Sequence, residues 1–338
     1  MLNFNKDKYT DIIENAINLI PKIEEYAEII HKDGFSNLFF IGCGGTYALA
    51  QPIKFWLDSC SAGIESHVVT AAEFMLMKHK RFTKNSLCIF CTRSGNTEEI
   101  VQAMKYCKDF GARTILYVCT DNSPCCTYTD YKLFSYAEDY CLGETMNLYL
   151  DILIGKLMSL NGEFDSYHDF SVQYRQITPF LVKAKEMFEA RSEVFAKKHK
   201  NTPYHMVVGS GMLWGEAYDY AMCILEEMQW LKTKSIHAAE FFHGTLELVE
   251  SDTSMILLYG EDETRPLMDR VMRFAESHTK NIMVLDTKEF TLPFDKPMHR
   301  GLFAPSVIYA ITDRLSVHLE KEREHPLSTR RYYRQMKY

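Results

Sequence analysis

Apolar residues in the first 33 positions fall at helical spacing (Ile12, Ile13, Ala16, Ile17 and Ile20), which predicts an amphipathic helical segment. Pro21 divides it and Gly34 ends it. Beyond Gly34 the pattern changes to short β-rich runs alternating with helical ones. NLFFIGC (37–43) predicts a strand, followed by Gly44-Gly45 and a helix through Trp56. SLCIFCT (86–92) predicts another, followed by a Ser-Gly turn and the helix NTEEIVQAMKYCKDF, which stops at Gly111; ARTILYVCT (112–120) is a third. Strand–turn–helix units of this kind imply a parallel sheet with helices on both faces. Residues 143–200 lack strand character and read as long helices. The alternation then restarts with YHMVVGSG (204–211), a glycine-ended strand leading into a helix. TSMILLYG (253–260), the helical PLMDRVMRFAESH and NIMVLD (281–286) continue it. The order of elements predicts an α/β chain of two similar units joined by helices, an internal duplication.

A length of 338 residues fits about two domain-sized units. The balance of 38 basic against 45 acidic residues, net −7, contains no basic block. It argues against broad nucleic-acid binding and requires any anionic ligand to be met by a local nest of donors. No apolar run approaches the ~18 residues of a membrane span. The charged, amphipathic N-terminus is unlike a signal peptide, so no membrane association and a cytoplasmic location are expected. Nine of the ten cysteines precede residue 142 without framework spacing, and they read as reduced, buried thiols.

Four segments carry candidate chemistry. Thr92-Arg93-Ser94-Gly95-Asn96-Thr97-Glu98-Glu99 follows a strand and opens a helix. Its hydroxyls, flexible glycine and helix N-terminus suit a phosphate. The same residues also suit plain N-capping, with Ser94 or Asn96 as the cap. GCGGTYA (42–48) is not a dinucleotide fingerprint, because Tyr47 stands where the third glycine is needed. It reads as a tight turn at Gly45 with Thr46 at the helix start, required by a ligand or by the fold alone. Glu226 and Glu227 end the helix WGEAYDYAMCILEEMQW about 100° apart. One is expected to face outwards and the other a partly apolar surround, where a carboxylate becomes a better base; a solvated surface pair is the competing reading. His243, in IHAAEFFHG, is either a turn residue or a catalyst. A metal site from His237, Glu240 and His243 fits poorly, since EFFH is not HExxH.

Together these segments resemble the sugar isomerase (SIS) domain, duplicated in tandem, from residue 35 onward. TRSGNT is similar to that family's Ser-x-Ser-Gly-x-Thr phosphate loop, with Thr92 for the first serine, and GCGGTY to its Cys-Gly-x-Ser-Tyr turn. Glu227 stands sixteen residues before His243, the separation of the family's catalytic pair, with Ala239 and Thr245 replacing a glycine and a proline of the pattern. The fold this implies is two SIS subdomains, each a three-layer αβα, flavodoxin-like parallel sheet. The boundaries expected are N-terminal helices 1–34, first subdomain 35–163, connecting helices 164–200, second subdomain 201–325, and a tail 326–338 near the active site.

Within the family, EMQW around Glu227, EFFHG and the ending HPLSTRRYYRQMKY resemble the fructosamine-6-phosphate deglycases. The amino-sugar synthases instead end with a lysine, near which Arg331 lies in register, and carry a glutaminase domain for which this length leaves no room. The resemblance implies Glu227 and His243 as catalytic residues. It implies Gly45, Thr46, Thr92, Arg93, Ser94, Gly95, Asn96, Thr97, Glu144, Thr145, Glu240 and Arg331 as substrate-binding residues. Glu240 would position the substrate, and the phenylalanines of EFFHG would wall the site. Arg93 and Arg331 would meet an anionic amino-acid moiety; surface or salt-bridged arginines are the competing reading. No metal or cofactor is implied, because a carboxylate and an imidazole suffice for the proton transfers. The partner is a small sugar phosphate, and a homodimer completing its sites across the interface is implied. An aldose–ketose phosphosugar isomerase stays open, as does a sugar-phosphate-binding regulator. The latter is disfavoured because the N-terminal segment is too short and acidic for a helix-turn-helix.

Overall fold

The computed structural model describes residues 1–336. The chain divides into two compact units, one of Lys6–Thr178 and one of Met1–Asn5 with the chain from Pro179 onward.

In the first unit, β1 (Asn37–Gly42), β2 (Ser66–Thr70), β3 (Ser86–Thr92), β4 (Arg113–Val118) and β5 (Tyr131–Phe134) form one sheet in the order β2-β1-β3-β4-β5. Every neighbouring pair is parallel. Strands β1 and β3 are buried along their whole length, which explains their near-continuous apolar runs: helices cover both faces of a parallel sheet. Phe39 lies opposite Cys88 in register and packs with Phe74, Phe82, Phe90 and Leu116. The segment 1–33 forms helices Lys6–Ile17 and Ile20–Asp33. Pro21 sits in the first turn of the second, where its missing N–H costs nothing, and Gly34, at φ 74°, ends it.

The helix Leu142–Leu160 buries most of its surface, including Asp151, whose Oδ2 accepts a hydrogen bond from the Tyr174 hydroxyl at 2.8 Å. Burial pushes the Asp151 carboxyl up to about 8, against the opposing pull of Tyr174. Since the folded value lies above the unfolded one, the stability this group contributes is fully present below about pH 4 and lost as pH rises to about 8. The steepest slope is about 1.4 kcal/mol per pH unit. Asp151→Asn should therefore fold, and its stability relative to wild type should rise steadily between pH 5 and pH 8 in denaturant titrations. A pH-independent difference would show that Asp151 is ionised in the folded protein.

In the second unit, β6 (Tyr204–Gly209), β7 (Lys232–His237), β8 (Ser254–Tyr259) and β9 (Asn281–Asp286) form a parallel sheet in the order β7-β6-β8-β9. This repeats the order of the first four strands of the other unit, so the duplication read from element order is present in the topology. The N-terminal residues are held here: the Leu2 N–H donates to Glu189 at 2.6 Å, and Arg314 pairs with the same carboxylate at 2.8 Å. The helix Pro297–Arg323 precedes the tail, whose last two residues, Lys337 and Tyr338, lie outside the described residues.

Three strands escape the hydrophobic pattern. β2 and β5 are short, and β7 reads KTKSIH, largely polar because it is an edge strand with its lysines outward. The helix expected over 214–230 is also not uniform. It runs as α-helix over Trp214–Tyr218, widens to a π-helix over Asp219–Glu226 and returns to α for Glu227–Gln229. Trp230 ends it in the left-handed region at φ 54°. Among the described residues, no helix is long and apolar enough to cross a membrane.

Candidate active site

In a sheet of order 2-1-3-4-5, the crevice for ligands opens at the carboxyl ends of β1 and β3, where the strand order reverses. Both glycine-rich segments singled out in the sequence lie there. After β1, Gly42 is required by close approach, since a Cβ would stand 2.6 Å from the Tyr47 backbone nitrogen. Gly45 and Thr46 begin the helix Gly45–Ala48. The Thr46 hydroxyl is engaged within the turn, accepting from the Cys43 N–H and donating to the Cys43 carbonyl, both at 3.1 Å.

After β3, residues 93–97 form a tight loop into the helix Glu98–Phe110. Buried Thr92 accepts the Gly95 N–H at 3.1 Å, and the Asn96 N–H reaches Ser94 Oγ at 3.5 Å. Gly95 has φ 61°, and a Cβ there would overlap Ser123 Oγ and lie 2.6 Å from its Cβ. The segment after β4 braces the loop: Cys119 and Cys125 donate their N–H groups to the carbonyls of Thr92 and Gly95 at 3.2 and 3.0 Å. Thr97, not Ser94 or Asn96, is the N-cap residue, and its side chain makes no capping bond to the helix. Arg93 pairs with Asp139 at 2.5 Å and approaches Glu138 at 3.8 Å. Glu144 and Thr145 lie in the first turn of the helix Leu142–Leu160, and each is only 1% exposed. Glu144 accepts the Tyr9 hydroxyl at 2.9 Å, and Thr145 donates to the Leu142 carbonyl at 3.0 Å.

The equivalent crevice of the second unit, between β6 and β8, contains an internal anion. The Asp262 carboxylate accepts the Met212 N–H at 3.1 Å, the Thr264 N–H at 2.8 Å and the Thr264 hydroxyl at 2.6 Å. A Cβ on Gly211 would come within 2.8 Å of its Cγ. With those donors engaged by the protein's own carboxylate, the 92–97 loop is the candidate for an external phosphate.

The second unit holds the candidate acid/base residues. Glu226 and Glu227 diverge as their phase difference predicts. Glu226 is exposed and accepts the Thr233 hydroxyl at 2.7 Å, whereas Glu227 is half-buried and pairs with Arg330 Nε at 2.9 Å. A cleft of about 640 Å³ is lined here by Glu226, Glu227, Trp230, Lys232, Arg330 and Arg331, among others. The Arg331 guanidinium stacks on the Trp230 ring, 4.1 Å from its centroid. The π-helix places Asp219 and Cys223 on the side of Glu227. Burial first, and the charge of Glu227 after it, push the Asp219 carboxyl up to about 6, against the opposing bond from Cys223. Burial, with Asp219 beside it, likewise pushes the Cys223 thiol up.

Glu240 and His243 lie on the turn after β7, both exposed, with the His243 N–H donating to the Glu240 carbonyl at 3.0 Å. Neither lines the cleft. His237 is half-buried beside Trp214, and burial lowers its imidazole below its ordinary value. Neither phenylalanine lines this cleft: Phe241 is fully buried in the core with Val208, Leu257 and Val271, and half-buried Phe242 packs on Phe274 beneath Arg270. Asp219 and Arg330, which lie beside Glu227, are not among the candidate residues read from the sequence. The paired arginines at 330–331 are the sequence signal that points to Arg330.

The sequence matches the SIS domain over residues 32–150. It is 31% identical to the fructosamine deglycase of Bacillus subtilis, over 94% of this chain and 97% of that protein. It is 23% identical to the fructoselysine 6-phosphate deglycase of Escherichia coli K12, over 93% of this chain and 90% of that protein. The fold superposes on the crystal structure of a candidate phosphosugar isomerase from Bacillus subtilis with a TM-score of 0.87 at 30% identity, covering 95% of this chain and 99% of that one. Similarity at that level along nearly the whole chain, with the SIS-domain match over the first sheet, establishes that this protein belongs to the SIS-domain family that includes the fructosamine deglycases.

Proposed function

We propose that the protein is a fructosamine-6-phosphate deglycase, cleaving an Amadori sugar phosphate of an amino acid to glucose 6-phosphate and the free amino acid. One observation carries the reading: Glu227 sits half-buried in a cleft that also bears Lys232, Arg330 and Arg331, cations suited to an amino-acid carboxylate. The substrate phosphate docks on the 92–97 loop, through the hydroxyls of Thr92, Ser94 and Thr97 and the backbone of Gly95 and Asn96. Gly45 and Thr46 border it, with Arg93 and Glu240 as further substrate-binding residues; Glu144 and Thr145, each 1% exposed and bonded within the fold, support the site from the helix behind it. Arg331 meets the amino-acid moiety. His243 opens the sugar ring by moving a proton at the ring oxygen.

Glu227 then removes a proton from C1, whose electron pair forms the C1–C2 double bond of an enaminol as the C2 carbonyl takes up a proton. Returning a proton to C2 leaves an imine at C1. Water adds there and the C–N bond breaks, giving the aldehyde of glucose 6-phosphate and the amine. The net reaction is hydrolytic.

A cytoplasmic homodimer whose subunits complete each other's sites is proposed with this reading, on the family resemblance. The test is amine release from fructosamine 6-phosphates, measured beside interconversion of free hexose phosphates. Amine should appear, and interconversion should be slower by at least an order of magnitude. The reverse ranking would make the protein a simple isomerase.

A further inference from the structure

The tail arginine at the base needs explaining. Residues 325–331 are docked on the end of the helix that carries Glu227. Gln229, fully buried, donates to the His325 carbonyl at 2.8 Å, and the Trp230 and His325 rings meet at 4.5 Å. Arg330 Nη1 is tied to the tail's own carbonyls, Leu327 at 2.7 Å and Thr329 at 3.0 Å, while Nε holds the Glu227 carboxylate at 2.9 Å. The guanidinium is thus aimed by its backbone anchors, with only 17% of its side chain exposed. A base held by a charge-assisted bond to a guanidinium is a poor base, because removing a proton from carbon requires a lone pair that the arginine engages.

We propose that Arg330 is an exchange partner. It holds Glu227 until substrate binds, transfers to the carboxylate of the substrate's amino-acid moiety, and so withdraws its bond from Glu227 only when such a substrate is bound. This rests on the deglycase reading, in which Glu227 works at C1, the carbon bearing the amine. A guanidinium that reaches Glu227 also reaches a carboxylate attached close to that amine. Arg331 and Lys232 add to the positive charge along the same cleft, so a substrate carboxylate is attracted to the place where the exchange occurs. Arg330 is on this account a positioning residue that converts recognition of the leaving group into catalytic competence. A hexose phosphate, or the adduct of an amine without a carboxylate, fills the sugar site but leaves Glu227 held.

The test compares two fructosamine 6-phosphates that differ in one group: the adduct of glycine and the adduct of methylamine. Wild type should prefer the glycine adduct by at least about tenfold, chiefly in kcat. In Arg330→Ala the preference should collapse towards unity, because the guanidinium no longer holds Glu227 and the kcat for the methylamine adduct rises towards that for the glycine adduct. Arg330→Lys should restore part of the preference, since it restores the charge without the fork. An unchanged ratio in folded Arg330→Ala overturns the proposal. So does an equal loss on both adducts, which would make Arg330 a structural support of Glu227 only. Turnover of neither adduct by wild type would instead remove the deglycase reading, and the exchange with it.

Discussion

Glu227→Gln should bind fructosamine 6-phosphates with little change in affinity and release amine ~100- to 10,000-fold more slowly, the range spanned by the loss of a positioned general base. The substitution preserves volume and leaves an amide oxygen able to accept from Arg330 Nε, which now bonds the carboxylate at 2.9 Å. The helix end should therefore keep its place. What is lost is the group that takes a proton from C1, so the fall should appear in kcat rather than KM. Single-turnover assays with excess enzyme would confirm this by showing bound, unreacted substrate. Undiminished turnover would remove Glu227 from the chemistry and shift attention to Asp219, the buried carboxyl that the π-helix brings beside it.

Gly95→Ala should cripple phosphate binding through two separable effects. A side chain at φ 61° is strained whatever the surrounding space, by about 1–2 kcal/mol. The added methyl would also collide with Ser123, which lies in the segment after β4 that braces this loop. Either effect displaces the 92–97 backbone from the geometry that cradles an anion. The expected outcome is a folded protein whose kcat/KM for a fructosamine 6-phosphate falls at least tenfold, mainly through KM. Adding Ser123→Gly should recover the part due to the collision and leave the conformational part, so the two substitutions should couple in a double-mutant cycle. Normal affinity in Gly95→Ala would mean that the phosphate docks elsewhere.

The parts of this architecture governed by local chemistry were legible in the chain. The run from Ser86 to Phe110 could be read nearly to the residue, because a wholly buried strand, a glycine loop and an amphipathic helix each leave their own pattern. β7 left none: in KTKSIH, at the edge of the sheet, exposed lysines alternate with half-buried hydroxyls, so no apolar run marks the strand. The π-helix was equally silent, since widening a helix changes its hydrogen-bonding phase without changing its composition. Phe241 shows how sequence adjacency misleads. It neighbours a catalytic candidate in the chain, yet the turn directs it into the core while His243 faces solvent. The pairing of Arg330 with Glu227 joins residues far apart in sequence, and no local pattern announces a tertiary contact of that kind.

Release of an amine, rather than a shift of the carbonyl alone, is what separates a deglycase from a simple isomerase. The most direct measurement incubates the wild-type protein with fructosamine 6-phosphates of several amino acids and quantifies free amino acid and glucose 6-phosphate in the same samples. Both should appear together in a one-to-one ratio for at least one adduct, with the rate lost in Glu227→Gln. Tight binding of every adduct without release of either product, or aldose–ketose interconversion with the C–N bond intact, would contradict the deglycase reading.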